Sequence, residues 1–164
     1  MATLDNLKAA FAGESQANRK YLAFAKKADA EGYPQIAKLF RAAAAAETVH
    51  AHNHLGIMDG IGDTKANLVA AVNGETFEFT KMYPGFIAEA AAEGAKKAKW
   101  SFGVANQVEE IHAGLFTQAL AAMSKESSGK NYYVCPVCGN TVLGGAPEIC
   151  PICNEPGSHF MLVD

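Results

Sequence analysis

The first 134 residues of this 164-residue chain contain no cysteine, and no apolar run in the sequence approaches the roughly 18 residues that a membrane span needs. We therefore expect no transmembrane helix, and the first part of the chain must be stabilised by packing alone. The N-terminal segment also lacks the basic-then-apolar order of a signal peptide. These absences predict a cytoplasmic protein, and in that reducing compartment clustered cysteines bind metal more often than they form disulfides.

Positive charge is also scarce. The chain has 14 Lys and Arg against 17 Asp and Glu, which gives a formal net charge of −3. Such a chain has no field that attracts nucleic acid or an anionic membrane. The one basic cluster, Lys96 to Lys99, is typical of a solvated helix face. We expect neither nucleic acid nor a membrane as a partner.

Apolar residues recur at spacings of three and four along most of the chain up to residue 123, which is typical of amphipathic helices. We predict four helices, over about residues 3–31, 34–59, 64–93 and 95–123. Gly32 and Pro34 separate the first two helices, and Pro84 should kink the third. Long helices with short connections predict an all-α four-helix bundle.

The composition changes abruptly at Ser124–Asn131, where small and polar residues predict a linker. We predict a four-helix domain over residues 1–126, a linker over 127–131 and a second domain over 132–164. The second domain is rich in Pro, Gly and β-branched residues. It is too short to fold around an apolar core alone, so a bound metal should help to hold it together.

The second domain contains two CxxC motifs separated by eleven residues, with cysteines at Cys135, Cys138, Cys150 and Cys153. Four thiolates at this spacing predict one tetrahedral metal site. Spacing alone leaves open whether zinc serves as a structural ion or iron as an electron carrier. Gly139 and Asn154 follow the two motifs, and both tolerate a left-handed backbone that turns amides toward the sulfurs.

Each predicted helix also carries acidic side chains on its apolar face. The polar residues at these positions are Glu14, then Glu47 and His50, then Glu75 and Glu78, then Glu109 and His112. The second and fourth helices contain the motif ExxH, whose spacing places carboxylate and imidazole on one helical face. Two such motifs with further glutamates predict a site for two metal ions, and these ligands suit iron or manganese. His52 and His54 lie off the motif and are not expected to be ligands.

These motifs closely resemble the rubrerythrin family, in which a ferritin-like di-iron domain precedes a rubredoxin-like domain. The resemblance covers essentially the whole chain and rests on AFAGESQA, AETVHAHNH, GETFEFTKMYP, VEEIHAGLF, YVCPVCG and ICPIC. It implies a non-haem di-iron peroxidase of oxidative-stress defence that reduces hydrogen peroxide to water. The rubredoxin-like iron would relay the electrons, and a separate NAD(P)H-linked reductase or a rubredoxin would donate them.

The resemblance also implies a ligand set for three irons in each chain. Glu47 and Glu109 would bridge two irons, Glu14 with either Glu78 or His50 would bind one of them, Glu75 and His112 would bind the other, and the four cysteines would bind the third. One iron is expected to exchange Glu78 for His50 on reduction. Tyr21 and Tyr83 match family tyrosines near the site, where a phenol could hydrogen-bond to a ligand or to peroxide. Manganese in the dimetal site and zinc in the cysteine site are the alternative metals.

The connection between the second and third helices limits how a bundle can form. A ferritin-like crossover must span about 40 Å, whereas a linker of about seven residues spans at most about 25 Å. Either the bundle is simply up-down-up-down, or the first two helices of one chain complete the site with the last two of another. The family resemblance favours the second arrangement, a helix-exchanged homodimer or higher oligomer.

Two other functions compete with the peroxidase. The first is a ferritin-like protein that oxidises or stores iron, with the tail as a docking module, and the second is a non-enzymatic helical bundle with a structural zinc ribbon. The additional carboxylate Glu78 argues against storage, because a storage site needs a route out and not an exchangeable ligand. The paired ExxH motifs argue against a bundle without metal in its helices.

Overall fold

The computed structural model describes residues 2–124 and 129–163 and divides the chain into two compact units, Met1–Gly62 and Asp63–Asp164. The helices are α1 (Ala2–Ala30), α2 (Pro34–Ile57), α3 (Thr64–Phe77), α4 (Tyr83–Ala92) and α5 (Lys96–Ala121), and the strands are β1 (Tyr132–Val134), β2 (Thr141–Leu143) and β3 (Met161–Val163). The predicted fold class, a helical protein with a small β-rich metal unit at its C-terminal end, is confirmed. The predicted boundary at residue 126 and the linker positions 127 and 128 lie outside the described residues.

The first unit consists of α1 packed against α2. Gly32 joins the two helices with a φ of +80°, a conformation that glycine adopts at little cost. The core of the unit is small, with Ala25, Ala28 and Ala37 buried and Phe40 partly buried beside them. Alanines dominate this core because a short side chain lets two helices approach closely.

The same unit leaves large apolar side chains of α2 exposed in the single chain. Leu39 and Ile57 are each 67% exposed, although the three-and-four spacing places both on the apolar stripe of this helix. A pair of helices buries one face of each, so the rest of a wide apolar stripe stays open. Such surface is normally covered by another part of a protein or by another molecule.

The third predicted helix is interrupted. A π-helical turn, Glu78–Met82, separates α3 from α4, and Pro84 lies in the first turn of α4. Proline has no N–H to continue an α-helical ladder, so the hydrogen bonds must shift ahead of it. The Tyr83 N–H bonds the carbonyl five residues earlier, that of Glu78. The sequence predicted a kink at this point. The helix instead contains one wide turn that holds an additional residue, located between Glu75 and the start of α4.

The C-terminal strands form one antiparallel sheet in the order β2-β1-β3. Val134 of β1 pairs with Thr141 on one side and with Met161 on the other. Gly139 and Asn154 have φ values of +84° and +64°, which confirms the left-handed backbone expected after each CxxC motif. Within the described residues, no helix is both long and apolar enough to cross a membrane.

Candidate metal centres

The first unit brings together one group of three candidate ligands. Glu14 from α1 and Glu47 and His50 from α2 each offer a ligand atom, and these atoms lie within 4.8 Å of one another. The Nδ1 atom of His50 lies 2.9 Å from Oε2 of Glu47, as the ExxH spacing predicts. We call these three residues the first ligand group.

The position of Glu14 relative to Glu47 is fixed by a buried asparagine that the sequence reasoning missed. Asn18 lies one turn after Glu14, and its amide donates to the carbonyl of Ala44 at 2.7 Å and to Oγ1 of Thr48 at 2.8 Å. A buried amide that loses these partners costs free energy, so α1 cannot easily slide along α2. The signal in the sequence is a polar residue one helical turn after Glu14, on the face that continues to the buried Ala25.

The second unit brings together a matching group. Glu75 from α3 and Glu109 and His112 from α5 again place three ligand atoms within 4.8 Å. Nδ1 of His112 lies 2.9 Å from Oε2 of Glu109 and 3.9 Å from Oε1 of Glu75. These side chains are between 16% and 27% exposed. We call them the second ligand group.

The second ligand group carries an excess of negative charge in a partly buried place. Burial, reinforced by the charge of Glu109, raises the pKa of the Glu75 carboxyl, although His112 acts in the opposite direction. Burial and the charges of Glu109, Glu78 and Glu75 also raise the pKa of Tyr83. A bound cation would neutralise these carboxylates and reverse both effects. Clustering and partial burial of carboxylates cause these shifts, and a cluster of this kind suits a cation.

The four cysteines converge as a third group. Sγ of Cys135 lies 3.5 Å from that of Cys153, and Sγ of Cys138 lies 3.6 Å from that of Cys150. These separations exceed a disulfide bond and approach the roughly 3.8 Å between two sulfurs that bind one tetrahedral ion at 2.3 Å each. The four cysteines thus fit a single metal ion.

Backbone amides are already turned toward one of these sulfurs. Burial would raise the pKa of the Cys150 thiol, but hydrogen bonds from the amides of Cys153 and Ile152 outweigh it and lower the pKa to about 7. Burial raises the pKa of the Cys138 thiol instead. Because metals bind the thiolate, loading this site must release protons from the higher-pKa thiols.

One hydrogen bond within the second unit links the cysteine site to the second ligand group. Nε2 of His112 lies 2.9 Å from Oγ1 of Thr141, which belongs to β2 and follows the first CxxC motif by three residues. Nothing in the local sequence around Thr141 indicates this contact, because it joins residues 29 positions apart. Sequence reasoning therefore had no way to find this residue.

A cavity of about 440 Å³ reaches the same place. Its polar lining includes Glu75, His112 and Thr141, and its apolar lining includes Leu68, Leu115, Phe116, Val134 and Val163. The cavity is large enough for a small molecule to approach the second ligand group.

Several predicted site residues lie outside the two ligand groups. Glu78 is in the π-helical turn, where its charge acts on Tyr83. The ring of Tyr21 packs on those of Phe24 and Phe40, with the Tyr21 and Phe40 centroids 6.1 Å apart. His52 and His54 are in neither group. The proposed ligand and catalytic roles of Glu78 and Tyr21 stay predictions.

Groups of Glu and His on helices, together with a four-cysteine site, fit a helical metal-binding protein that carries a rubredoxin-like unit. The family model for rubrerythrin matches residues 5–120, and that for the rubredoxin-like domain of rubrerythrins matches residues 133–161. The chain belongs to the rubrerythrin family. This membership fits an oxidoreductase of oxidative-stress defence.

Individual relatives match over nearly the full length of the chain. Nigerythrin of Nitratidesulfovibrio vulgaris is 39% identical over 97% of this chain and 85% of its own length. Rubrerythrin-2 of Clostridium acetobutylicum is 37% identical over 96% of this chain and 95% of its own. A solved structure of nigerythrin in its fully reduced, all-ferrous state superposes with a TM-score of 0.60 at 37% identity, covering 98% of this chain and 86% of that one.

Proposed function

We propose that this chain is a non-haem di-iron peroxidase that reduces hydrogen peroxide to two waters, using two electrons and two protons for each turnover. The observation that carries the proposal is the hydrogen bond of 2.9 Å between His112 and Thr141. This contact supports a four-cysteine metal site beside a carboxylate and histidine site within one unit. An electron carrier next to a dimetal centre is the arrangement that a repeated one-electron supply requires.

The proposed ligands follow the two groups. Glu47 and Glu109 would be ligands of both metals, Glu14 would hold one metal with His50 or Glu78, and Glu75 and His112 would hold the other. An iron pair, when bound, supplies the two electrons that cleave the O–O bond. In the dimetal site, mixed carboxylate and imidazole ligands support iron, with manganese as the alternative. In the cysteine site, four thiolates support iron, with zinc as the alternative.

The chain itself supplies a proton donor and a route of access. Burial and three neighbouring carboxylates raise the pKa of Tyr83 further above neutral pH, and the protonated phenol can donate a hydrogen bond in the site. The cavity beside Glu75 and His112 admits a molecule as small as hydrogen peroxide. In this proposal Tyr83 orients the peroxide. The ring of Tyr21 contacts the rings of Phe24 and Phe40, and its catalytic role stays a prediction.

We further propose that the two ligand groups of one site come from two chains, as a helix-exchanged homodimer. The connection from Met58 to Asp63 has six residues and reaches at most about 22 Å, whereas α2 is about 36 Å long. A crossover along the bundle therefore does not fit within one chain. The exposed apolar side chains of α2, such as Leu39 and Ile57, support a second chain as their cover.

The proposed setting is the cytoplasm, which keeps the four cysteines reduced until they bind metal. Electrons enter through the cysteine site, from an NAD(P)H-linked reductase or from a separate rubredoxin. Because that site carries one electron at a time, it must act twice in each turnover.

The test is the metal content of the anaerobically purified protein, combined with its visible absorption spectrum. We expect three irons per chain, a thiolate-to-iron absorption band, and reoxidation of the reduced protein by one equivalent of hydrogen peroxide per dimetal site. Zinc in the cysteine site without redox colour would contradict the electron relay. Iron uptake into a mineral core without peroxide turnover would support the ferritin-like alternative instead.

A second variant tests the exchangeable ligand. We expect Glu78→Ala to slow peroxide turnover while leaving two metals in each dimetal site, since His50 can still occupy the position. A Glu78→Ala protein with wild-type turnover would show that no ligand exchange is needed.

A further inference from the structure

The hydroxyl of Thr141 lies between the cysteine site and the second ligand group, and its hydrogen bonds have a defined direction. Oγ1 of Thr141 donates to the carbonyl of Gly139 at 3.0 Å. A hydroxyl has one proton, so in its other contact, at 2.9 Å from Nε2 of His112, the oxygen must accept. The imidazole of His112 therefore carries a proton on Nε2.

This direction determines which nitrogen of His112 can bind a metal. Before a metal binds, Nδ1 also carries a proton, because the Glu109 carboxylate can only accept; a metal that replaces this proton leaves a neutral imidazole with its proton on Nε2 and its lone pair on Nδ1. Nδ1 is the nitrogen that faces the carboxylates, 2.9 Å from Oε2 of Glu109 and 3.9 Å from Oε1 of Glu75. The hydrogen bond thus presents the correct nitrogen to the metal and resists rotation of the ring.

The position of Thr141 is set by the cysteine unit. Thr141 pairs with Val134 in the sheet, and Gly139, the acceptor of its hydroxyl, directly follows Cys138. Gly139 itself packs on α5, because a Cβ built there would lie 3.7 Å from Cγ1 of Val108. The first cysteine motif is therefore held against the helix that carries Glu109 and His112.

We propose that Thr141 is a positioning residue of the dimetal site, and that the rubredoxin-like unit orients a ligand of that site in addition to any electrons it carries. The inference rests on the dimetal site proposed above. It assigns a function to a side chain that binds neither metal. Partners of this kind, which fix the outer nitrogen of a ligating histidine, commonly contribute about 10- to 100-fold to metal affinity.

The experiment compares Thr141→Val, Thr141→Ser and a control, Thr117→Val, in the full-length chain. Valine keeps the shape of threonine without the hydroxyl, and serine keeps the hydroxyl. Thr117 is the control because it receives the same substitution at an exposed position, where its hydroxyl donates along its own helix, to the carbonyl of Ala113. Zinc is the probe for both sites, since it is diamagnetic.

Two quantities are measured. The first is the zinc affinity of the dimetal site by competition with a chelator, for which we expect Thr141→Val to weaken binding by about 10-fold or more. Thr141→Ser and Thr117→Val should stay close to wild type. The second is the long-range ¹H–¹⁵N spectrum of zinc-loaded wild type and Thr141→Ser, in which His112 should be protonated on Nε2 and metal-bound through Nδ1.

Unchanged zinc affinity in Thr141→Val, or a His112 that binds zinc through Nε2, would overturn the inference. A loss of affinity in Thr117→Val equal to that in Thr141→Val would also overturn it, because the effect would then be a general loss of packing. A wild-type chain that takes zinc in its cysteine site alone would contradict the dimetal site itself. The two failures can be told apart. If the wild type binds zinc tightly in the dimetal site and Thr141→Val does so equally well, only the positioning role of Thr141 is contradicted.

Discussion

The two ligand groups share a motif but differ in what surrounds their histidines. In both, Nδ1 of the histidine lies 2.9 Å from Oε2 of the glutamate three residues earlier. The His112 side chain is 27% exposed and its outer nitrogen is bonded to Thr141, whereas the His50 side chain is 55% exposed. The helix period sets the shared geometry, and tertiary contacts set how firmly each histidine is held.

This difference agrees with the proposed exchange of ligands at one metal only. An imidazole that leaves and rejoins a metal must be able to turn, and in the single chain His50 has the more exposed side chain of the two. The oriented His112 is suited to remain on its metal through the reaction. The asymmetry of the centre thus follows from which helix the rubredoxin-like unit packs on.

The largest expected effect is the recovery of activity when one chain carries a substitution in the first ligand group and the other chain carries one in the second ligand group. Glu47→Ala removes a ligand of the first group and Glu109→Ala one of the second, so each homodimer should be inactive. In a mixed helix-exchanged dimer, one of the two sites has both groups intact. Random mixing should therefore restore about a quarter of the wild-type peroxidase activity, measured after co-expression of the two variants.

The control for this complementation is a mixture of two variants of the same group, Glu47→Ala with Glu14→Ala. Here every site that contains either chain's first group is damaged, whichever way the helices pair. Activity restored in this mixture, or none restored in the Glu47→Ala and Glu109→Ala mixture, would contradict helix exchange.

A smaller effect should separate the two histidines. We expect His112→Ala to weaken one metal of the dimetal site by at least about 100-fold, because it removes an oriented ligand that lacks a substitute. His50→Ala should weaken the other metal by about 10-fold or less, because Glu78 can take its place. Both variants replace the histidine of an ExxH motif with alanine, so their equilibrium metal affinities can be compared directly.

Equal losses in the two variants would mean that both histidines are permanent ligands. A double variant sharpens the result. If Glu78 is the substitute, adding Glu78→Ala to His50→Ala should cost far more affinity than it costs alone, which is non-additivity between two ligands of one metal.

The sequence predicted which candidate ligands converge because each recognition pattern is local. ExxH places Glu109 and His112 on one helical face through the helix period alone, and CxxC does the same for each cysteine pair. The residues that sequence reasoning missed, Asn18 and Thr141, act across 26 and 29 positions, where no local pattern applies. The π-helical turn was missed for another reason, since Pro84 disrupts a helix without specifying how the chain responds.

A moderate effect is expected at Asn18, which fixes α1 against α2. Asn18→Ala leaves the carbonyl of Ala44 and the hydroxyl of Thr48 without this partner, which should lower the free energy of unfolding by about 1–3 kcal/mol. Affinity for the metal that Glu14 binds should fall with it. Thermal unfolding and metal titration of the variant measure both effects.

The matched control is Asn106→Ala on α5, since the carbonyl oxygen of that amide is buried without a hydrogen-bond partner among the described residues. Its loss should cost less stability than that of Asn18. If Asn18→Ala is as stable as wild type, the register of α1 is set by alanine packing instead.

The smallest expected effect concerns Tyr83, which reports the charge of the second ligand group. Burial and the charges of Glu109, Glu78 and Glu75 raise the pKa of Tyr83, so in the metal-free protein its phenolate should form only above the ordinary value of about 10. Because the folded state holds this proton more tightly than the unfolded state, stability falls as the pH rises from the ordinary pKa toward the raised one. The difference in ultraviolet absorption between wild type and Tyr83→Phe isolates the titration of this residue. Glu78→Gln removes one negative charge and should move it a fraction of a pH unit back toward 10, whereas an unmoved titration would mean that Glu78 points away from the centre.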